Sequence, residues 1–382
     1  MAPVRVLLVG GGHAALPTIK HANQLRDAGA EVTLISESRY LFYSGRTPEY
    51  IGGGYEIEDV RIDLQMLCER SGASFVADRV AGLDLAARRV TTAGGSTFGA
   101  DLMAIDVGGL NPPSPSPSQD GITTRPLSDL TKLRQIVDDM VAGHRKGETI
   151  SIIGGGAAGT EIALNVTARV RGTGNHIAVF EPSDRLLPGF PSTLSRHVEH
   201  CLRERGAAVY LDTRIEHVED GMLVAGARSF RSDHIVRATG SVGQAWLRES
   251  GLRTEATGYA VVHETLQTPG HSWLFVAGDS ASILSMPRLP KVGVHAVKQG
   301  PTLRSNLIQA VRTLASGGGL SSATFETFRP YPVAPLVLST GESNGILASG
   351  RLWLRGKWCL DLKHRVDARW IRRYQQEAEP AP

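Results

Sequence analysis

The stretch Val4-Arg5-Val6-Leu7-Leu8-Val9-Gly10-Gly11-Gly12-His13-Ala14-Ala15 decides the fold of this chain. Its four consecutive apolar residues, 6–9, predict a strand buried on both faces, as in a parallel sheet. Three glycines break the strand, and small residues that suit a helix follow. This order of strand, tight turn and helix places Gly10, Gly12 and Ala15 at the small positions of the dinucleotide fingerprint G-x-G-x-x-G/A.

Each small residue of the fingerprint has a physical role. Gly10 permits the tight turn, Gly12 lets the backbone approach a pyrophosphate, and Ala15 keeps the helix close to the strand. The helix N-terminus is expected to offer N–H groups and partial positive charge to the phosphates. An acidic residue about 20 positions further on should accept a ribose hydroxyl. The next predicted strand is followed by Ser36 and Glu37, and both are candidates for that position.

A second copy of the pattern strengthens the prediction. Residues 149–153 form another predicted strand and lead into Gly154-Gly155-Gly156-Ala157-Ala158-Gly159, a full G-x-G-x-x-G. Its three small residues follow those of the first copy by 144 positions each, and Glu181, after the next strand, follows Glu37 by 144 positions. Two such copies predict an α/β protein with two Rossmann-like (βαβ) dinucleotide-binding domains.

Glu181 also predicts which nucleotide the second copy binds. A carboxylate at this strand end accepts hydrogen bonds from the ribose hydroxyls of NAD. It would repel a 2′-phosphate by roughly 1–4 kcal/mol at contact distance, depending on screening. The sequence therefore favours NADH over NADPH.

Prolines and glycines indicate how the domains are arranged. A Pro/Ser-rich connector covers residues 112–117, and three further predicted buried strands end at Gly108, at Gly240 and at Gly278-Asp279. The connector marks a candidate domain boundary.

The composition limits the class of protein. The chain has 382 residues, 41% of them hydrophobic and 21% charged, which is ordinary for a globular protein. A net charge of +3 is too small to indicate a nucleic-acid partner. The three cysteines are widely spaced and odd in number, so a disulfide framework is not expected. We predict a cytoplasmic protein with no metal site, and its oligomeric state stays open.

Four segments together resemble a known family: residues 10–15, Gly154 to Gly159, Ala238-Thr239-Gly240 and Ala277-Gly278-Asp279. They look like the two-dinucleotide-binding-domain flavoproteins, and within these the type II NADH dehydrogenase branch of the pyridine nucleotide-disulfide oxidoreductase superfamily. A narrower resemblance, to flavoproteins often fused to selenide,water dikinase, rests on Leu34-Ile35-Ser36, Tyr43-Ser44-Gly45 with Pro48, Arg61-Ile62-Asp63-Leu64 and Leu186-Leu187-Pro188-Gly189-Phe190-Pro191.

The resemblance implies FAD on the first unit and NADH on the second, with the second unit inserted in the first. Residues 1–111 and 252–320 would then form the FAD-binding domain, residues 118–251 the NAD-binding domain, and residues 321–382 a C-terminal α/β segment. The residues expected at the FAD are Gly10, Gly12, Ala15, Ser36 or Glu37, Arg46, Pro48, Gly108, Gly278, Asp279 and Val292. Those expected at the NADH are Gly154, Gly156, Gly159, Glu181 and Gly240. Asp279 would bind a ribityl hydroxyl or a phosphate-bound water, with an ordinary helix N-cap as the alternative. Glu161 would lie near the nicotinamide, with a helix first-turn acid as the alternative.

The electron acceptor is the most open part of the prediction. No C-x-x-C or C-x4-C pair occurs, which disfavours a disulfide reductase. Type II NADH dehydrogenases usually have an A-Q-x-A-x-Q-Q-G run at the quinone site, and residues 293–300 of this chain retain only its last glutamine. Lys298 and Gln299 are the candidates for contact with a quinone or similar small molecule, or else they lie on a solvated helix face. An NADH-responsive flavoprotein sensor with little turnover is the alternative function.

The C-terminal segment adds a basic amphipathic helix. Residues 351–374 contain eight Lys/Arg against two Asp, and an apolar stripe recurs every four residues at Leu362, Val366, Trp370 and Tyr374. We expect the stripe to pack against the flavin domain. The alternative is peripheral contact with an anionic membrane surface, on the inner face of the membrane.

Overall fold

The computed structural model describes residues 2–113, 121–219 and 221–375. The first unit begins with β1 (Val4–Val9), α1 (Leu16–Lys20), α2 (Ala22–Asp27), β2 (Ala30–Ser36), β3 (Tyr40–Phe42), α3 (Thr47–Ile51), β4 (Arg61–Asp63), α4 (Leu64–Ser71), β5 (Ser74–Ala77), β6 (Val80–Asp84), β7 (Arg89–Thr92), β8 (Thr97–Gly99) and β9 (Leu102–Ile105). Most of the predicted Pro/Ser connector, from residue 114 on, and the predicted start of the second domain at residue 118 lie outside the described residues.

The second unit follows. It consists of β10 (Ile122–Thr123), α5 (Leu130–Val141), β11 (Thr149–Ile153), α6 (Ala157–Val170), β12 (His176–Phe180), α7 (Ser192–Glu204), β13 (Ala208–Tyr210), β14 (His217–Glu219), β15 (Met222–Ala225), β16 (Arg228–Arg231) and β17 (His234–Arg237).

The chain then returns to the first unit and ends in a separate segment. The return comprises α8 (Ala245–Glu249), β18 (Ala260–Val262), β19 (Gln267–Thr268), β20 (His271–Val276), β21 (Ala281–Ile283) and α9 (Gly293–Ala315). The C-terminal segment comprises β22 (Leu336–Ser339), β23 (Gly345–Ser349), β24 (Leu352–Gly356) and α10 (Lys357–Gln375).

Each unit is built on a largely parallel sheet. The strand order is β19-β20-β9-β1-β2-β5 in the first unit and β10-β17-β11-β12-β13 in the second, with only β19 antiparallel to its neighbour. Strand β9 lies beside β20, although the whole second unit separates them in the chain. The second unit is therefore inserted in the first, as the sequence predicts.

The two sheets bury their strands in separate cores. Apolar residues of β1, β2, β9 and β20 form the core of the first unit, and α8 contributes Trp246 and Leu247 to it. The predicted boundary at residue 251 places α8 with the second unit, but these two side chains pack with the first. Helix α5 and strands β11 and β12 contribute to the core of the second unit.

The C-terminal segment contacts both units. Strands β22, β23 and β24 form an antiparallel sheet, and Leu338 and Ile346 of that sheet belong to the core of the second unit. Trp370, Ile371 and Tyr374, near the end of α10, belong to the core of the first. Within the described ranges, no helix is both long and apolar enough to cross a membrane.

Candidate active site

The glycine turn of the first unit closes around Asp106, the residue directly after β9. A Cβ on Gly10 would lie 2.4 Å from the Asp106 carbonyl oxygen, and one on Gly12 would lie 2.4 Å from the Asp106 carboxyl group. The Asp106 carboxylate oxygen Oδ2 accepts hydrogen bonds from the N–H groups of Ala14 and Ala15, each at 2.8 Å. The sequence predicts that such N–H groups serve the phosphates. Two of them instead serve this carboxylate, which sits at the start of the helix.

Asp106 was not among the predicted site residues. It is buried, and burial raises the pKa of its carboxyl group to about 7, with a further contribution from the charge of Asp279. The two backbone N–H donors act in the opposite direction. An acidic residue directly after a buried strand, two residues before the first glycine of the pair 108–109, was the available signal in the sequence.

The register of the two sheets distinguishes between Ser36 and Glu37. The Gly10 N–H donates to the carbonyl oxygen of Ile35, and the Gly154 N–H donates to that of Phe180, both at 2.8 Å. Ser36 therefore occupies the place in the first unit that Glu181 occupies in the second. Glu37 is one residue further on; its side chain is 70% exposed and lies 3.8 Å from Arg79. The constant spacing of 144 residues does not hold at this position.

The second glycine turn leaves room for a ligand. Gly154 and Gly159 are tightly packed, since a Cβ would lie 2.4 Å from the Ala238 carbonyl oxygen and 2.0 Å from the Gly154 carbonyl oxygen, respectively. A Cβ on Gly156 or Gly240 would have none of the described atoms within 4 Å. Packing therefore fixes the backbone of the turn at Gly154 and Gly159, while the space beside Gly156 and Gly240 is open, as a bound pyrophosphate requires.

Glu181 is held in place by the backbone around it. It is buried, and its Oε2 accepts a hydrogen bond from the Gly155 N–H at 2.7 Å, while its Oε1 accepts one from the Ser183 N–H at 2.9 Å. Carboxylate oxygens have further acceptor capacity. The side chain fits the predicted role of binding ribose hydroxyls.

A short turn, Gly278–Ser280, gathers several predicted flavin-site residues. The Ser280 hydroxyl accepts from the Val107 N–H at 3.1 Å and donates to the Gly108 carbonyl oxygen at 3.2 Å. The Gly278 N–H donates to Oε1 of Gln299 at 2.7 Å. Gln299 is only 3% exposed, so its side chain stabilises this turn and does not lie on a solvated helix face.

Asp279 in the same turn forms an ion pair rather than an N-cap. Its Oδ2 lies 2.7 Å from Nη1 of Arg125, a residue of the second unit. The N-cap of the turn is Ala277. The alternative of an ordinary helix cap at Asp279 is therefore not what the structure shows.

Two buried histidines indicate that a polar ligand belongs beside this turn. Nε2 of His13 and Nδ1 of His295 are buried and have no hydrogen-bond partner among the described residues. Burial lowers the pKa of His13 to about 4, so its imidazole is neutral at pH 7. Buried polar atoms are normally hydrogen-bonded, and unpartnered ones mark the place of a ligand or water. The residues present therefore fit a bound FAD.

The remaining predicted residues lie in or directly before α3 and α9. Arg46 is buried, donates to the Asp59 carbonyl oxygen at 2.9 Å and has its guanidinium 4.6 Å from the ring centre of Tyr55. Pro48 is in the first turn of α3. Val292 directly precedes α9. Nζ of Lys298 lies 3.9 Å from the ring centre of Tyr331, which is 44% exposed.

Glu161 lies in α6 where this helix meets the C-terminal segment. Its Oε1 accepts hydrogen bonds from the Ser339 N–H at 2.8 Å and the Ser339 hydroxyl at 3.1 Å. Burial raises the pKa of Glu161 to about 7, although Lys363, at 4.0 Å, acts in the opposite direction. Glu161 is the fifth residue of α6 and lies beyond its first turn, so the alternative of a helix first-turn acid does not describe it.

Lys363 of α10 is the centre of a buried network of charges. Its Nζ lies 2.8 Å from Oε1 of Glu49 and 2.9 Å from Oδ2 of Asp367. Nε2 of His364 lies 2.6 Å from the other oxygen of Glu49, and the Tyr43 hydroxyl donates to Asp367 at 2.7 Å. Burial by itself would lower the pKa of Lys363, but the carboxylates around it raise that pKa above its ordinary value.

This network was missed because its members are far apart in the sequence. Glu49 lies in α3, while Lys363 and His364 lie in α10, more than 300 residues later. The one signal in the sequence was the set of polar residues next to the apolar stripe of the tail. Nothing in that pattern indicates that a carboxylate from α3 would meet them.

A family model describes most of this chain. The model of the pyridine nucleotide-disulphide oxidoreductases matches residues 4–300. The chain belongs to this family. The membership confirms the predicted α/β fold class and the predicted cofactors, FAD and NADH.

Curated relatives and solved structures agree with the family. The type II NADH:quinone oxidoreductase of Staphylococcus epidermidis is 25% identical over 398 residues, covering 96% of this chain and 95% of the relative. That of Staphylococcus aureus is 25% identical over 399 residues, with the same coverage. The resemblance to the type II branch is thereby confirmed, and the narrower resemblance to kinase-fused flavoproteins stays a prediction.

Two structural neighbours show the same fold. The sulfide:quinone oxidoreductase of Aquifex aeolicus superimposes with a TM-score of 0.77 at 17% identity, covering 97% of this chain and 91% of the other. A ferredoxin reductase of Rhodopseudomonas palustris has a TM-score of 0.70 at 18% identity, with 91% and 88% covered.

Proposed function

We propose that this oxidoreductase takes electrons from NADH and passes them, through FAD, to a quinone or a similar small acceptor. The observation that carries the proposal is the buried pair of Glu161 and Lys363, where α6 of the second unit faces α10. The staphylococcal NADH:quinone oxidoreductases, similar over nearly their whole length, support this acceptor class. All three cysteines are free and buried, which agrees with an acceptor other than a protein disulfide.

The chain binds and orients the cofactors. The chemistry supplied by bound FAD is acceptance of a hydride from NADH followed by release of electrons to the acceptor. Glu181 would bind the ribose hydroxyls of NADH, and the open side of Gly156 would receive its pyrophosphate. The turn at Gly10 and Gly12, together with Asp279, would hold FAD. No side chain is needed as an acid or base for the hydride transfer itself.

The charged network would deliver protons. Reduction of a quinone to a quinol takes two protons as well as two electrons, and a group with a pKa near 7 both binds and releases protons at neutral pH. From the surface, His364 is 40% exposed and lies 2.6 Å from Glu49. Glu49 lies 2.8 Å from Lys363, which lies 4.0 Å from Glu161. We propose that protons from solvent reach the Glu161 carboxyl group along this row, in which Lys363 stays charged and holds the carboxyl groups of Glu49 and Glu161 near each other.

The acceptor contact is assigned to Lys298 and not to Gln299. Gln299 is buried and already bonded to the Gly278 N–H. Lys298 is partly exposed, and its Nζ lies above the half-exposed ring of Tyr331. A cation beside an aromatic ring can stabilise negative charge on a reduced acceptor and also contact its ring.

The apolar stripe of α10 divides into two halves with different surroundings. Trp370 and Tyr374 are buried, as expected for packing against the flavin domain. Leu362 and Val366 are 39% and 57% exposed, and Trp358 one turn earlier is 50% exposed. Only the C-terminal half of the stripe follows the packing prediction.

The exposed half supports peripheral membrane contact. Leu352 and Leu354 of the adjoining β24 are 78% and 55% exposed, and exposed arginines of α10 occur at 365, 369 and 373. An apolar surface flanked by arginines suits an anionic bilayer. Sedimentation with vesicles containing anionic lipid should carry the protein down, and replacing Leu362 and Val366 by serine should reduce the bound fraction severalfold. Equal binding of the variant would contradict this assignment.

Anaerobic stopped-flow spectroscopy tests the function directly. NADH added to the yellow enzyme should bleach the flavin absorbance, and a soluble quinone added next should restore it within a catalytic turnover. Rapid bleaching that no quinone reverses would contradict the quinone-type acceptor. Slow bleaching with no dependence of turnover on any acceptor would favour the sensor.

The variant Glu161→Gln tests the proton path. Glutamine retains an acceptor oxygen for Ser339 but cannot exchange a proton. We expect NADH to bleach the flavin at close to the wild-type rate, and reoxidation by quinone to slow by about 100-fold, the lower range for loss of a general acid. Glu204→Gln serves as a control because the Glu204 side chain is 69% exposed on α7. Wild-type reoxidation by Glu161→Gln would refute the path.

A further inference from the structure

A groove on the second unit runs along one face of its parallel sheet. The three-stranded sheet of β14, β15 and β16 covers part of this face. The groove has a volume of about 260 Å³, and its lining extends along β12 from His176 to Phe180. Neither Glu181 nor a glycine of the 154–159 turn is among the described residues that line it. The groove is therefore separate from the residues proposed to bind NADH.

Small residues in three neighbouring strands make room for the groove. Ala178 pairs with Ala208 of β13 and with Ser151 of β11, so the three side chains form a row on the same face of the sheet. Ala178 and Ala208 line the groove. Ser151, at the other end of the row, is fully buried, and its hydroxyl has no hydrogen-bond partner among the described residues. Such a hydroxyl marks the place of a missing ligand or water.

Three aromatic rings form another wall of the groove. Phe180 and Tyr210 are stacked with their ring centres 4.9 Å apart, and the ring of Phe230 lies 5.0 Å from the first and 4.7 Å from the second. Aromatic rings attract one another at such spacings, so this wall suits a planar ring compound. An apolar cavity of about 150 Å³ holds benzene, and the larger volume here therefore suits a compound of one or two rings.

The charged side chains of the lining favour a negatively charged group on the ligand. His176 and Arg231 line the groove, whereas no Asp or Glu of the described residues does. The Arg231 side chain is 83% exposed, so its guanidinium has N–H donors free for a ligand. Arg228, three residues earlier on β16, has its guanidinium 4.8 Å from the ring centre of Phe230 and adds a second positive charge.

Two carboxylates lie near the groove without lining it. Oδ1 of Asp233 is 3.7 Å from Nη2 of Arg231, a long contact at an exposed side chain that offsets the charge of Arg231 only in part. Oε2 of Glu148 lies 2.7 Å from Nε2 of His234 and 3.2 Å from Nη1 of Arg145, so this carboxylate already has its own partners. The lining of the groove is therefore basic after its acidic neighbours are counted.

We propose that this groove is a second ligand site, which takes a planar aromatic compound of one or two rings that carries a single carboxylate. The rings would lie between the aromatic wall and the two alanines, Ala178 and Ala208. The carboxylate would face His176 and Arg231. The proposal depends neither on the position of NADH nor on the identity of the electron acceptor.

Isothermal titration calorimetry with 2-naphthoate tests the proposal on the full-length, FAD-loaded enzyme. Saturating NAD⁺ is present, so that the probe cannot occupy the dinucleotide site. The wild type should bind one 2-naphthoate per chain. Ala208→Leu should weaken this binding at least tenfold, because the larger side chain fills the space for the rings. Ala142→Leu is the matched control, since Ala142 is exposed at the end of α5 and should leave the Kd for 2-naphthoate unchanged.

A second variant tests the charge without filling the groove. Arg231→Gln should weaken the binding of 2-naphthoate by about threefold, the size of effect expected for an exposed charge contact, and should leave the binding of uncharged 2-naphthol unchanged. The KM for NADH should stay at the wild-type value in Ala208→Leu and Arg231→Gln, which shows that the second unit is folded.

Three results would overturn the proposal. The first is no binding of millimolar 2-naphthoate to the wild type. The second is wild-type affinity in Ala208→Leu. The third is loss of binding when NAD⁺ is added, since the probe would then have occupied the dinucleotide site. An enzyme that fails to reduce any quinone would still give the expected titration.

Discussion

The two dinucleotide units have the same backbone turn but place their acidic residue differently. In each, the first glycine donates to the end of the neighbouring strand, Ile35 in one unit and Phe180 in the other. On the other side, the Asp106 N–H donates to the Val9 carbonyl oxygen, and the Ala238 N–H donates to that of Ile153, both at 2.8 Å. Asp106 and Ala238 are therefore equivalent, as are Ser36 and Glu181.

This exchange of positions shows how one fold serves two ligands. In the first unit the carboxylate lies under the glycine turn and occupies the helix N–H groups, so the turn is filled and rigid. In the second unit the carboxylate lies at the strand end, and the turn at Gly156 stays open. A tightly retained cofactor suits the first arrangement, and a nucleotide that enters and leaves in every turnover suits the second.

The largest expected effect follows from the difference between Asp106 and its equivalent Ala238, which cannot ionise, and it concerns how pH affects stability. Burial raises the pKa of Asp106 to about 7, so between about pH 4 and 7 the folded state holds a proton that the unfolded state has lost. The free energy of unfolding should therefore fall as pH rises through this range, by up to about 1.4 kcal/mol per pH unit from this group. Asp106→Asn should remove this contribution, and its stability relative to the wild type should increase with pH up to about 7.

Denaturant unfolding of the flavin-loaded enzyme at several pH values measures this effect. Asp101→Asn is the control because Arg5 holds the pKa of Asp101 below its ordinary value, so its difference from the wild type should stay constant above about pH 5. Parallel curves for the wild type and Asp106→Asn would show that the buried carboxylate does not keep its proton.

The next largest difference is expected when each turn receives a methyl group. Gly12→Ala would bring Cβ within 2.4 Å of the Asp106 carboxyl group, so we expect a loss of about 1–3 kcal/mol of stability and partial loss of FAD. Gly156→Ala should leave the Tm unchanged but raise the KM for NADH, since its methyl group enters the space for the pyrophosphate. Thermal unfolding and steady-state kinetics separate the two outcomes. Equal loss of stability in both variants would contradict the distinction between a filled and an open turn.

The sequence predicts the parts of the fold that local pattern determines. Two apolar runs followed by glycines define β1 and β11, and both were predicted because buried parallel strands and phosphate turns leave a local pattern. The insertion of one unit in the other was expected from the family resemblance. The equivalence of Ser36 and Glu181 did not follow from the sequence. The second unit has one residue more than the first between its first glycine and the end of the next strand, so the sequence spacing of the equivalent residues changes while their position in the sheet stays the same.

The site depends on contacts that no local pattern encodes. Asp279 was predicted as a flavin contact, but its partner Arg125 comes from the inserted unit. Gln299 was predicted to face an acceptor, but it turns inward to the Gly278 N–H. Glu161 was predicted near the nicotinamide from family resemblance, while Lys363 and Glu49 became visible only once α10 was packed against α3 and α6. Tertiary packing, and not helix or strand propensity, decides these pairings.

The smallest expected effect tests the strand-end position itself. Glu181→Gln keeps an acceptor oxygen for one of the two N–H groups, those of Gly155 and Ser183, and removes the negative charge that would repel a 2′-phosphate. The ratio of kcat/KM for NADH to that for NADPH should fall by about tenfold, which corresponds to roughly 1.4 kcal/mol. Glu37→Gln should leave this ratio and FAD retention unchanged, because Glu37 lies beyond the equivalent position and is 70% exposed. Loss of FAD from Glu37→Gln would mean that the first unit binds its ribose through the residue after Ser36, against the register of the two sheets.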